Sequence, residues 1–162
     1  MISQERLREL LCYDPETGAL CWIKPTSNVV KPSQIIRPNS HGYVTVRLDG
    51  GLYRAHHLAW FYMTGAWPKG DVDHKNLDRS DNRWTNLREA SVAQNRANTG
   101  CRSHNKSGLK GVQKAHGANR WNARITVDSK TRYLGSFKTP LEAHAAYVKA
   151  AREAFGEYAR AA

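Results

Sequence analysis

From Trp121 to Val127, apolar Trp121, Ala123, Ile125 and Val127 alternate with polar Asn122, Arg124 and Thr126. A period of two predicts a strand with one buried and one polar face. Strand patterns over Lys110 to Lys114 and Arg132 to Phe137 flank it. Thr139-Pro140-Leu141-Glu142 then combines a cap, a first-turn proline and a capping box. The helix it predicts runs through Ala143, Ala146, Tyr147 and Ala150 to about Ala154, with a small-residue face for the sheet. The opposite sheet face is left open. It would carry Gln113, Arg124, Thr126 and Tyr133, with Lys110 and Lys114 near its edge. Toward the N-terminus, Glu5 to Leu11 places Leu7, Leu10 and Leu11 on one helical face, and Asp14 to Gly18 is turn chemistry. Ala19 to Ile23 is apolar enough for a strand, and residues 24–41 read as loop. Tyr43 to Leu48 alternate as a strand that Asp49-Gly50-Gly51 closes into a hairpin. Leu58 to Met63 form an apolar helical face that ends before Gly65. Of the histidines before it, His56 reads as a packed structural residue, and His57 as facing solvent or a DNA backbone.

The stretch from Gly70 to Gly100 is more polar than its neighbours and reads as strand, polar loop, strand, helix. Asp73 and His74 lie at the end of the first strand, and Asn86 follows in the loop. Ser91 and Gln94 form a capping box, Asn95 lies one turn into the helix, and Gly100 marks its end. These are residue types that bind a metal and move a proton. A neutral imidazole such as His74 suits a general base, because its ordinary pKa of about 6.5 lies near working pH. An amide oxygen accepting from the far ring nitrogen would fix its tautomer, a role open to Asn86. Asp73 and Asn95 offer oxygen ligands, which favour a hard cation such as Mg²⁺. The spacing alone fits equally well an Asp- and Asn-rich turn whose side chains only satisfy backbone groups.

Charge narrows the field of partners. The net charge is +11. Residues 1–50 have a surplus of one positive charge (six Lys/Arg against five Asp/Glu), and residues 51–100 a surplus of two (seven against five). From residue 101 onward the surplus is eight (twelve against four). Basic charge gathered in one third of the chain reads as a phosphate-binding surface. Gly100 to Gly108 has linker composition with a basic bias, and its Arg102 and Lys106 could track phosphates or simply belong to a tether. An open sheet face of this kind fits the DNA major groove, where arginine reaches guanine O6 and N7. An ordinary solvated sheet face would carry the same pattern. No apolar run approaches the roughly 20 residues needed to span a bilayer, and the N-terminus lacks a signal-peptide pattern. Cys12, Cys21 and Cys101 are odd in number and widely spaced, which argues against a disulfide framework or a structural zinc site.

Asp73-His74, Asn86 and Asn95 resemble the HNH motif of the ββα-metal nucleases, in the subgroup found in phage and intron-encoded homing endonucleases. Tyr53-Arg54-Ala55-His56, Leu58-Ala59, the Asp78 to Arg83 loop and YDPETGALCW extend the likeness. Leu77 departs from it, at a loop position where glycine is common, and Asn95 stands where many members have histidine. The resemblance implies that His74 is the general base, Asn86 its orienting partner, and Asp73 with Asn95 the ligands of one divalent metal, Mg²⁺ or alternatively Mn²⁺. GLKGV, WNARI, YLGSFKT, EAHAAY and Gly156 resemble the plant ethylene-response-factor (APETALA-type) DNA-binding domain, although Gln113, Arg124, Thr126 and Thr131 replace several of its contact arginines. The implied architecture is α+β. A ββα-metal (His-Me finger) HNH nuclease domain over 1–99 is followed by a basic linker over 100–108. A DNA-binding domain of three-stranded antiparallel sheet on one helix covers 109–162. The implied function is a metal-dependent, site-preferring DNA endonuclease of the phage homing type. It would nick double-stranded DNA to 5′-phosphate and 3′-hydroxyl ends, as a monomer or weak dimer without an obligate protein partner, in the cytoplasm of an infected bacterium. A regulator with an inactive HNH half and a nonspecific phage nuclease are the competing readings.

Overall fold

The computed structural model describes residues 2–23, 35, 37–101, 105–117 and 119–160. The chain is a mixed α/β protein with small antiparallel sheets, and four α-helices and nine strands lie among the described residues. They gather into two compact units, Met1–Ala90 and Ser91–Ala162. This division falls one helix before the linker that the composition marks.

In the first unit, α1 (Gln4–Leu10) starts at Ser3, whose hydroxyl accepts from the Arg6 N–H at 3.1 Å. The helical face read from the sequence includes Leu11, but Leu11 is already extended and begins β1 (Leu11–Tyr13). The strand was hidden because its buried-exposed-buried pattern starts on a residue that also completes the helical stripe. β1 pairs with β2 (Leu20–Trp22), with Cys12 opposite Cys21, and Cys12, Cys21 and Cys101 are free thiols. β3 (Thr45–Leu48) and β4 (Gly51–Arg54) form the expected hairpin around Asp49 and Gly50. Both turn residues have positive φ (44° and 81°), the two-residue geometry whose twist matches that of the strands. α2 (Ala55–Thr64) ends where Gly65 takes φ 73° and donates to the Phe61 carbonyl at 2.9 Å. Leu7, Leu11, Leu20, Leu48 and Leu58 form the fully buried centre of this unit. β5 (Asp71–His74) and β6 (Leu87–Ala90) then pair antiparallel, setting Asp73 opposite Arg88.

The second unit begins with α3 (Val92–Asn98), capped as expected by Ser91 and Gln94 in a complete capping box. Its sheet has the order β7 (Val112–Lys114), β8 (Trp121–Val127), β9 (Lys130–Phe137). α4 (Pro140–Phe155) starts with the expected Thr139–Glu142 capping box. It packs Ala143, Tyr147 and Ala151 toward the sheet residues Val112, Ala123 and Ile125. β7 begins two residues later than its apolar pattern suggests. Gly111 has φ 76°, and a Cβ there would lie 2.0 Å from the Tyr147 ring, so the chain needs a glycine kink before the strand can start.

Candidate active site

His74 ends β5, and the chain turns immediately after it. The Leu77 N–H donates to the His74 carbonyl at 3.0 Å, and Leu77 takes φ 66°. A left-handed leucine costs about 1–2 kcal/mol; the loop keeps the course that glycine would take, at the expense of strain. The histidine is 4% exposed, and its Nε2 lies 3.1 Å from the Asn82 Oδ1. An oxygen at that position selects the tautomer protonated on Nε2. The ring meets His56 edge-on with centroids 4.7 Å apart, and Tyr43 at 6.3 Å. Burial is the largest influence on its pKa and holds it below the ordinary histidine value. The Asn82 bond and the charges of Asp73, Asp81 and Asp78 oppose that shift.

The amide that meets the imidazole is therefore that of Asn82, not Asn86. Asn86 lies in a short 3₁₀ turn, and its amide is taken up by the loop. Its Oδ1 accepts from the Asn76 N–H at 3.1 Å, and its Nδ2 donates to Asn76 Oδ1 at 3.0 Å and to the Asp81 carbonyl at 2.8 Å. Asn86 thus closes the loop that presents Asn82. The Asp81–Arg83 ion pair at 2.6 Å stiffens the same loop, and its hydrogen bonds bring the Asp81 pKa down to about 2. Behind Asn82, the Tyr13 hydroxyl donates to the Asn82 carbonyl at 2.7 Å. Gly18 lies so close that a Cβ would come within 2.4 Å of the Arg83 nitrogen. The sequence signal for Asn82 was an amide within the DRSDNR loop, eight positions after the histidine.

Asp73 is 5% exposed, and its Oδ2 accepts from Arg88 Nε at 3.0 Å and Nη2 at 3.0 Å. Arg88, which no sequence motif singles out, supplies the charge that lets a carboxylate persist in the interior. Asn95 lies in the first turns of α3, within the second unit.

Residues 53–97 match the HNH endonuclease family. The match indicates a nuclease acting on DNA. The HNH segment takes in His74, Asn82, Asn86, Asp73, Arg88 and Asn95, while the Tyr13 and Gly18 supports lie before it. None of the curated proteins compared with the chain matches it. HNH endonucleases generally use a divalent metal. The carboxylate of Asp73 and the amide of Asn95 are hard oxygen donors suited to such an ion. Among the described residues no three His, Cys, Asp or Glu side chains cluster to hold one.

Within the HNH segment His56 is 1% exposed, and its Nδ1 has no hydrogen-bond partner among the described residues. Burial, followed by the neighbouring His57, His74 and Arg54, drives its pKa down to about 2. The folded protein therefore binds this proton far less readily than the unfolded chain, whose histidine titrates near about 6.5. Its contribution to stability is complete above pH 6.5 and is lost as the pH falls toward 2. His57 and His74 shift in the same direction. At about 1.4 kcal/mol per pH unit, His56 alone should remove roughly 2 kcal/mol between pH 7 and pH 5. Urea unfolding at the two pH values measures this, and His56→Phe should flatten the difference; an unchanged slope in the variant would contradict the assignment.

In the second unit, Gln113, Lys114, Arg124, Thr126 and Tyr133 are exposed. Gln113 pairs in register with Asn122, Arg124 with Tyr133 and Thr126 with Thr131, so these residues share the face turned away from α4; Lys114 pairs with Trp121, on the side of Val112 and Ala123 that faces α4, and so lies off the open face. Tyr133 reaches Asn122 Oδ1 at 3.3 Å, and Thr126 meets Thr131 at 3.0 Å. Lys106 is also exposed, and Arg102 lies outside the described residues. Lys110 does not sit at the open face. Its ammonium donates to the carbonyls of Ala97 at 2.5 Å, Thr99 at 2.6 Å and Arg96 at 3.3 Å. The end of α3 offers unsatisfied carbonyls, and a lysine with three donors satisfies them better than a strand edge could use it. No helix among the described residues is long and apolar enough to cross a membrane.

Proposed function

We propose that the chain is a metal-dependent, site-preferring DNA endonuclease of the phage homing type. In this reading it nicks one strand, leaving 5′-phosphate and 3′-hydroxyl ends. The observation that carries it is the His74 imidazole, fixed through Nε2 by Asn82 at the end of a strand inside the HNH segment. His74 takes the proton of the attacking water, and Asn82 holds the ring in one tautomer through Nε2. On the HNH likeness Asp73 and Asn95 would each offer an oxygen to Mg²⁺ or Mn²⁺, and Arg88 orients the Asp73 carboxylate by donating Nε and Nη2 to its Oδ2. When bound, the ion supplies positive charge for the developing phosphate charge and the leaving oxygen.

The second unit serves as the reader. It is an ethylene-response-factor-like domain that lays its open face, with Arg124 at the centre, into the major groove. The exposed side chains of Gln113, Thr126 and Tyr133, together with the charge surplus after residue 101, support that role.

The test is supercoiled plasmid incubated with the full chain in Mg²⁺ or in EDTA. Nicked circles are expected with Mg²⁺ and none with EDTA. Cutting that persists in EDTA would refute the metal-dependent reading. Arg124→Ala should weaken binding about tenfold or more at a preferred site, measured by fluorescence anisotropy. Equal affinity for wild type and variant on all sequences would remove the sheet face from the reader.

A further inference from the structure

Of the arginines in the first unit, Arg6, Arg83 and Arg88 pair with carboxylates. Arg54 and Arg79 are exposed and take no acidic partner among the described residues. Acid is close at hand for Arg79, which follows Asp78 directly in the chain. The Asp78 carboxylate turns instead to Ser80, accepting from its N–H at 2.9 Å and its hydroxyl at 2.6 Å. Arg79 Nη1 donates to the His41 carbonyl at 2.9 Å, and its guanidinium lies over the Tyr43 ring, 5.0 Å from the centroid. Arg54 comes to the same ring from the end of β4, 4.7 Å from the centroid. Two positive charges are thereby gathered on one tyrosine. Each contact with the ring is weak at an exposed site, and the two charges repel one another. An anion bound by both would relieve that repulsion.

Tyr43 also packs toward the candidate base. Its ring lies 6.3 Å from that of His74 and 5.3 Å from that of His56, centroid to centroid. The buried imidazoles and the exposed guanidiniums therefore share one aromatic ring. A guanidinium presents its N–H groups as a planar fork that matches two phosphate oxygens, and the ring and the His41 carbonyl fix where the forks stand. We propose that Arg54 and Arg79, held on Tyr43, form a phosphate clamp in the first unit that grips the backbone of the strand His74 cuts. The inference rests on the endonuclease reading of the site. It goes further by giving the first unit a grip on the duplex of its own, in addition to that of the reader sheet.

The experiment measures duplex binding by fluorescence anisotropy in EDTA over a salt series. It compares full-chain wild type, Arg54→Gln, Arg79→Gln, the double variant and Arg6→Gln. Single-turnover nicking at saturating DNA is read with Mg²⁺ on the same proteins and on His74→Ala. A lost phosphate contact lowers the salt slope by about one, so each variant at 54 or 79 should bind more weakly with that change, and the double variant should lose about two. The double variant should also nick at least about tenfold more slowly, because a displaced phosphate no longer meets the base in line. Arg6→Gln removes a charge of the same unit that is already paired with Glu9 and Asp49, and should keep the wild-type slope and rate. Unchanged slopes at positions 54 and 79 would overturn the clamp; a lower melting temperature beside them is the mark of arginines that merely cover Tyr43. An equal fall in slope for Arg6→Gln would overturn it too, since the effect would then be one of general charge. So would a lowered slope with wild-type nicking in the double variant, which would put the contact away from the cut strand. The binding measurement needs no cleavage. If His74→Ala still nicks, the base assignment falls while the slopes still decide the phosphate contact.

Discussion

His74→Ala is expected to lower plasmid nicking by about a thousandfold while leaving duplex affinity nearly unchanged. The magnitude follows from the loss of a positioned general base, which contributes about 10²–10⁴-fold. The selectivity follows from burial: at 4% exposure the imidazole offers little surface to a duplex before the chemistry begins. Asn82→Ala is the companion measurement. It leaves the ring in place but removes the oxygen at Nε2, so either nitrogen can carry the proton. Its rate should fall by an intermediate factor. Asn86→Ala acts differently, because its amide ties Asn76 to Asp81; it should lower both rate and thermal stability. Wild-type nicking in His74→Ala would dismiss the base assignment. A silent Asn86→Ala of unchanged stability, beside an active Asn82→Ala, would restore Asn86 as the residue that orients the ring.

The second large effect concerns stability. Arg88→Met should destabilise the fold by about 3–5 kcal/mol, the usual consequence of stranding one buried charge. The guanidinium side chain is 10% exposed and the Asp73 side chain 5%, so water cannot replace the lost partner. Removing both charges with Asp73→Asn in the same chain should recover part of the loss, since the double variant no longer buries a carboxylate apart from its guanidinium. Urea denaturation of the two single variants and the double variant measures the coupling. Additive losses would show that the two side chains do not depend on one another.

How far these features could be read from sequence depends on how local their causes are. The capping boxes at Ser91 and Thr139 are visible because cap and partner lie three positions apart. The alternation of β8 is visible because each side chain faces either the helix or solvent. β1 is not, since Leu11 satisfies a helical stripe and a strand equally well. Spacing could not separate Asn82 from Asn86, because both amides lie in one polar loop and only the folded path decides which oxygen reaches the ring. The Asp73–Arg88 pair spans fifteen positions, and strand register alone reveals it. Lys110 was legible as positive charge, but the direction of its ammonium depends on a helix end that no local pattern announces.

The hairpin of Leu11–Tyr13 and Leu20–Trp22 has an implication for anyone trimming this chain. The family likeness starts at residue 53, yet the floor under Asn82 is laid by the Tyr13 hydroxyl, by the Pro15 carbonyl that receives the Trp84 N–H at 2.9 Å, and by the bare backbone at Gly18. A fragment cut to the likeness would keep every residue of the motif and lose the footing of the one that aims the imidazole.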